Sequence, residues 1–61
     1  MKKTIKELRD SKGWSQSELA ELLKTTQPMI SWLEKGKYKP SLKMALKIAE
    51  VFSVKVEDIQ L

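Results

Sequence analysis

The apolar residues of this chain recur at the spacing of short amphipathic helices, and polar residues mark where those helices begin. Ile5 and Leu8 lie three residues apart, which places both on one face of a predicted first helix. Thr4 and Glu7 stand in T-x-x-E spacing, where each side chain can accept a hydrogen bond from the other residue's backbone. Gly13 is a suitable residue for the end of this helix, since glycine adopts the left-handed conformation without strain.

A second pair with the same spacing, Ser15 and Glu18, predicts the start of another helix. The apolar face of this helix is formed by Leu19, Leu22 and Leu23 and extends to about Lys24. Trp14 directly precedes the cap, where it can form a hydrophobic staple with Leu19 or Leu22.

A third helix follows after a tight turn. Thr26 can cap its start, and Pro28 is tolerated in its first turn because no backbone donor is needed there. Ile30 and Leu33 supply its buried side. The remaining positions are predicted to point away from the core, and their polar and apolar groups are long enough to reach the edges of DNA bases: Gln27, Met29, Ser31 and Trp32.

The C-terminal part of the chain predicts two more helices. Ser41 can cap a fourth helix, whose predicted core face consists of Leu42, Ala45, Leu46, Ala49 and Phe52. A second stripe of Met44, Ile48 and Val51 can pack on a following element or on a partner subunit. A short fifth helix is predicted at about residues 56–59.

Length and composition restrict the classes of function. With 61 residues, the chain predicts a single small domain, residues 1–61. It contains no Cys and no His, so the usual nucleophiles, general bases and soft metal ligands are missing. We therefore expect no enzyme activity, cofactor, metal site or small-molecule ligand. No apolar run is long enough to span a bilayer, and a cytoplasmic protein is expected.

Positive charge is concentrated on either side of the second and third helices. The net charge is +4, and residues 35–47 contain five lysines and no acidic residue. Residues 15–34 carry three glutamates against one lysine. This distribution is typical of a surface that faces nucleic-acid phosphates, although a lysine-rich loop can also be merely solvated.

The segment QSELAELLKTTQPMISWL, with the following EKGKYKPSL, resembles the helix-turn-helix of phage repressor and Cro-type regulators. Ala20, Ile30 and Leu33 match the small and apolar positions of that motif, and the resemblance covers about residues 5–59. It implies an all-α, five-helix, lambda-repressor-like domain. The implied function is to bind operator-type duplex DNA as a two-fold dimer and to regulate transcription, most often by repression.

The resemblance and the exposed pattern together assign candidate DNA contacts. Base contacts are expected from the third helix, at Gln27, Pro28, Met29, Ser31 and Trp32. Phosphate contacts are expected from Gln16, Ser17, Thr26, Lys35, Lys37, Tyr38 and Lys39. A glutamine side chain can pair with adenine through two hydrogen bonds, and the resemblance implies that Gln16 braces Gln27.

Two structural features are also implied. The resemblance pairs Arg9 with Glu34 in an ion pair, and it usually has glycine at the position of Lys24, where the backbone needs positive φ. A weak homodimer on a palindromic operator is expected. Its interface is predicted from the apolar residues of the C-terminal part: Val51, Val54, Val56, Ile59 and Leu61.

A different class of function remains open. The same fold could serve as a protein-interaction module, such as an antitoxin or an adaptor subunit, with Met29 and Trp32 forming an apolar patch for a protein partner. The lysines next to this surface favour DNA, because phosphate attraction needs basic charge.

Overall fold

The computed structural model describes residues 2–60, which form a mostly helical structure with one small β-bridge. The elements in chain order are strand β1 (Lys3–Thr4), helices α1 (Ile5–Lys12), α2 (Gln16–Leu23), α3 (Gln27–Glu34) and α4 (Leu42–Phe52), a 3-10 helix (Val56–Asp58) and strand β2 (Ile59–Gln60). The two strands pair in parallel, with Lys3 opposite Ile59 and Thr4 opposite Gln60.

Side-chain caps define where each α-helix begins. Thr4 and Ser15 form complete capping boxes with the glutamates three residues later. The hydroxyls of Thr26 and Ser41 accept hydrogen bonds from backbone N–H groups in the first turns of α3 and α4. The four helix starts are therefore fixed by local sequence, as the pattern predicted.

Two of the turns place non-glycine residues in the left-handed region. Lys24 ends α2 with φ of 56°, and Ser53 ends α4 with φ of 55°. An L-residue in this conformation costs about 1 kcal/mol or more, because Cβ approaches the following carbonyl oxygen. Each turn is closed by hydrogen bonds from the cap N–H to carbonyls of the last helical turn, which compensate part of this strain.

The prediction of five helices was wrong in number. Four α-helices are present among the described residues, and the segment expected to form the fifth contains only a 3-10 turn at Val56–Asp58. Lys55 supplies no side-chain cap to this turn, and Ile59 continues instead into β2, where it pairs with β1. The pairing between the two ends of the chain takes the place of a longer helix.

The core brings together residues from all four α-helices and from β2. Leu19, Leu23, Ile30 and Ile48 are its most completely buried large side chains. The ring of Trp14 packs against that of Phe52, with a centroid distance of 5.5 Å, so this tryptophan contributes to the core surface.

The predicted core face of α4 was partly wrong. Ile48 is fully buried, whereas Leu42 is 73% exposed and Leu46 is 53% exposed. The buried side of α4 is centred on Ala45, Ile48, Ala49 and Phe52. Leu42 and Leu46 lie at its edge, where no other helix of residues 2–60 covers them. Leu22 of α2 is likewise 48% exposed rather than buried.

Candidate nucleic-acid interface

Helices α2 and α3 form a helix-turn-helix unit, joined by Lys24, Thr25 and Thr26. Their contacts are the most extensive between any two elements of the described residues. Ile30 and Leu33 bury the inner side of α3, and this orientation leaves Gln27 and Pro28 at its start exposed to solvent. The helix that carries the candidate base contacts is therefore held by Ile30 and Leu33 and presents a mixed polar and apolar surface to solvent.

The five candidate base contacts differ in exposure. Gln27, Pro28 and Trp32 are exposed, and Trp32 is 47% accessible. Ser31 is half-buried. Met29 is also half-buried and packs against the core, in contrast to the prediction that it points away from it. The exposed surface of α3 is therefore formed mainly by Gln27, Pro28 and Trp32.

A chain of side-chain hydrogen bonds fixes Gln27 at the start of α3. Its Nε2 donates to Oε1 of Gln16 over 3.5 Å, and its Oε1 accepts from the hydroxyl of Ser17 over 3.1 Å. Gln16 in turn donates from Nε2 to Oε1 of Glu34 over 3.0 Å. Gln27 is thus braced by two residues from the first turn of α2. The contact with Ser17 was not foreseen from the sequence, which assigned this hydroxyl only to phosphate.

The ion pair implied by the resemblance is present. Arg9 donates from Nε to Oε2 of Glu34 over 2.7 Å and from Nη2 to Oε1 over 3.3 Å. Its Nη1 donates to the carbonyl oxygen of Trp14 over 2.8 Å. The side chains of Arg9 and Glu34 are only 12% and 7% exposed. This bidentate contact links α1 to the C-terminal end of α3 and so orients the helix that bears Gln27.

These contacts shift the pKa values of both groups. Burial alone would raise the pKa of Glu34, but hydrogen bonds from Arg9 and Gln16 outweigh it and lower that pKa below the ordinary value. The hydrogen bond with Glu34 raises the pKa of Arg9. The pair therefore remains charged at neutral pH.

An open groove of about 350 Å³ lies beside this pair. It is lined by residues from α1, α2, α3 and the start of the next loop: Lys6, Arg9, Gln16, Ser31, Glu34 and Lys35. Three of these side chains are basic and one is acidic, so the groove is positively charged overall. Lys6 is the one basic member that the sequence had not assigned to a site.

The loop between α3 and α4 exposes the side chains of Lys35, Lys37, Tyr38 and Lys39. The N–H groups of Lys35, Gly36 and Lys37 donate to carbonyl oxygens of Ser31, Leu33 and Trp32 in α3. These three backbone groups are therefore already engaged. The predicted phosphate contacts of Lys35 and Lys37 would therefore have to use the side chains, which are exposed.

The residues predicted to form a dimer interface differ in how far they are buried. Val51, Val54 and Val56 are half-buried and pack against the core. Ile59 is only 3% exposed, so its assignment to an interface was wrong: strand pairing in β2 turns its side chain into the core. Leu61 lies outside the described residues.

No cluster of His, Cys, Asp or Glu within residues 2–60 could hold a metal ion. Over the same residues, no helix has the length and apolar character needed to cross a membrane.

Comparisons with known proteins give a consistent result. The model of the helix-turn-helix family HTH_3 matches residues 5–59. An uncharacterized HTH-type transcriptional regulator of Bacillus subtilis strain 168, YgzD, is 48% identical over 59 residues, which cover 97% of this chain and 89% of the relative. An uncharacterized HTH-type transcriptional regulator of Archaeoglobus fulgidus is 51% identical over 59 residues, covering 97% and 83% of the two chains.

A third relative comes from another archaeon. An uncharacterized HTH-type transcriptional regulator of Methanocaldococcus jannaschii is 48% identical over 59 residues, or 97% of this chain and 89% of the relative. The matched region contains all four α-helices and the polar network around Gln27. On the strength of the family match and these relatives, the chain belongs to the helix-turn-helix family of HTH-type transcriptional regulators.

Proposed function

We propose that this protein is a sequence-specific duplex-DNA-binding transcriptional regulator of the phage repressor and Cro type. In this proposal α3 enters the major groove with its N-terminal turn toward the bases, while α2 crosses the sugar-phosphate backbone. The observation that carries it is the exposed amide of Gln27, held by Gln16 and Ser17 at the start of α3. An amide held in one orientation can offer a donor and an acceptor to an adenine edge at a reduced entropic cost.

The surroundings of α3 support this assignment. Pro28 and Trp32 are exposed on the same helix and supply apolar contacts to bases, with Ser31 and Met29 partly accessible behind them. Phosphate contacts are assigned to the first turn of α2, to the α3 cap and to the lysine-rich loop, at Gln16, Ser17, Thr26, Lys35, Lys37, Tyr38 and Lys39. The loop lysines have no acidic residue between them, so they attract phosphate without local competition.

We further propose that two copies of this domain form a two-fold dimer on a palindromic operator. The dimer represses transcription by occupying that operator. One recognition helix contacts too few base pairs to select a site in a genome, whereas two copies double the number of bases read. The names of the relatives as transcriptional regulators support a regulatory role.

The test of DNA binding is a titration of the protein with random-sequence duplex over a range of salt concentrations. Binding that rests on phosphate contacts weakens steeply with salt, because each contact releases condensed counterions. A second candidate is a module that binds a protein partner through Trp32, which is 47% exposed. If no binding to duplex is measurable at low salt, DNA binding is rejected and this second candidate takes its place.

A further inference from the structure

We propose that two copies of this chain associate through the outer stripe of α4, formed by Leu42 and Leu46; the inference rests on the proposed function. These are the two most exposed large apolar side chains of the described residues, at 73% and 53%. They lie four residues apart, so they form one continuous ridge along the helix surface. An apolar ridge of this kind is stabilised when a partner removes it from water.

The charges beside the ridge favour a second copy as the partner. Lys43 lies three residues before Leu46 and Glu50 lies four residues after it, and both are exposed. Neither forms an ion pair within residues 2–60. When two α4 helices pack antiparallel about a two-fold axis near Leu46, Lys43 of each copy lies opposite Glu50 of the other. The surface is therefore complementary to itself, as an isologous interface requires.

The position of the ridge also fits a dimer that binds DNA. Leu42 follows directly after the loop that carries Lys37 and Lys39, so a second copy docked here stands beside the proposed phosphate-binding surface. The domain measures 25 × 24 × 18 Å. Two such domains must lie side by side for their α3 helices to enter major grooves one turn, about 34 Å, apart.

The ridge offers more apolar surface than the C-terminal valines. Val51, Val54 and Val56 already pack against the core, and Ile59 is buried. The area that two leucines per copy can bury is still well below the roughly 800 Å² per partner that stable interfaces bury. The dimer is therefore weak in solution and is completed when both copies share one duplex.

The experiment compares the wild-type protein with the double variant Leu42→Gln, Leu46→Gln. Glutamine favours helix and both side chains are exposed, so the fold is retained, which circular dichroism verifies. Leu22→Gln is the matched control, because Leu22 is an exposed leucine on α2. Sedimentation equilibrium without DNA measures self-association. Titrations with a duplex selected by the wild-type protein, carrying one or two half-sites, measure cooperativity.

The double variant should lower the association constant by about tenfold or more and abolish cooperative binding to two half-sites, with single-half-site binding unchanged. Lys43→Glu should weaken self-association, and adding Glu50→Lys should restore it, because the exchange re-creates the opposed charges. Unchanged self-association and cooperativity in Leu42→Gln, Leu46→Gln would overturn the inference and leave the proposed function standing. If the protein binds no duplex at all, the proposed function fails, and sedimentation alone still decides whether the ridge associates.

Discussion

The guanidinium of Arg9 and the carboxylate of Glu34 meet through two hydrogen bonds, of 2.7 and 3.3 Å, across 25 residues of sequence. Arg9 lies in α1 and Glu34 is the last residue of α3, so the contact fixes the C-terminal end of α3 relative to α1. The same carboxylate accepts from Gln16, which contacts Gln27. One ion pair thus supports both the fold and the geometry of the proposed DNA-reading side chain.

Replacing Arg9 with alanine should lower the free energy of unfolding by about 3 kcal/mol, because the carboxylate of Glu34 would be left largely buried without its cation. Lys6→Ala is the matched control on the same helix. Lys6 is exposed, and its loss should cost about 0.5 kcal/mol or less. Urea denaturation of both variants measures the difference. Equal small losses would show that the ion pair contributes little to stability.

The stability contributed by Glu34 should depend on pH. Its pKa is lowered in the folded protein, so its contribution is fully present above the unfolded-state value of about 4.3 and is lost as the pH falls through the lower folded value. The stability difference between the wild type and Glu34→Gln should therefore shrink as the pH is lowered from 7 into this acidic range. Thermal melts at a series of pH values measure it. A difference that stays constant down to complete protonation would contradict the assignment.

Lys24→Gly should raise the free energy of unfolding by about 0.5–1 kcal/mol. The residue occupies the left-handed region at φ of 56°, where glycine relieves the strain of Cβ but adds entropy to the unfolded chain. Lys24→Ala removes the same charge and keeps Cβ, so it serves as the control and should give no gain. Denaturant melts compare the two. A gain of equal size in both variants would attribute the effect to charge instead.

Replacing both Lys37 and Lys39 with alanine should weaken binding to all duplex sequences alike. Each lost phosphate contact should lower the slope of log affinity against log salt by roughly one. Lys55→Ala is the control, since this exposed lysine lies outside the loop, next to the 3-10 helix. Titrations at several salt concentrations give the slopes. An unchanged slope in the double variant would mean that these lysines are only solvated.

The parts of the fold that depend on neighbouring residues could be predicted from the sequence. The caps at Thr4, Ser15, Thr26 and Ser41 are local hydrogen bonds, and each helix begins where its cap predicts. The parallel pairing of β1 with β2 could not be predicted, because it joins the two ends of the chain through four residues only. Because the pairing was not foreseen, the segment that contains β2 was expected to form a fifth helix.

The candidate site was predictable to a similar degree. The exposed position of Gln27 follows from the helical period of α3, whereas the half-burial of Met29 depends on how α3 packs against the core. Leu42 and Leu46 fit a core face by spacing alone. Their exposure follows from the absence of a neighbouring helix at that edge of α4 among the described residues, which periodicity does not reveal.

The central claim is that α3 reads base sequence through Gln27, and selection of bound sequences from a random duplex pool tests it most directly. The wild-type protein should enrich two-fold related half-sites about one helical turn apart. Gln27→Ala should lose preference at one base position of each half-site and bind the best site about 1–3 kcal/mol more weakly, while Gln60→Ala, an exposed glutamine on β2, should behave as the wild type. A pool without enrichment, or equal losses for Gln27→Ala on selected and random duplexes, would contradict the claim.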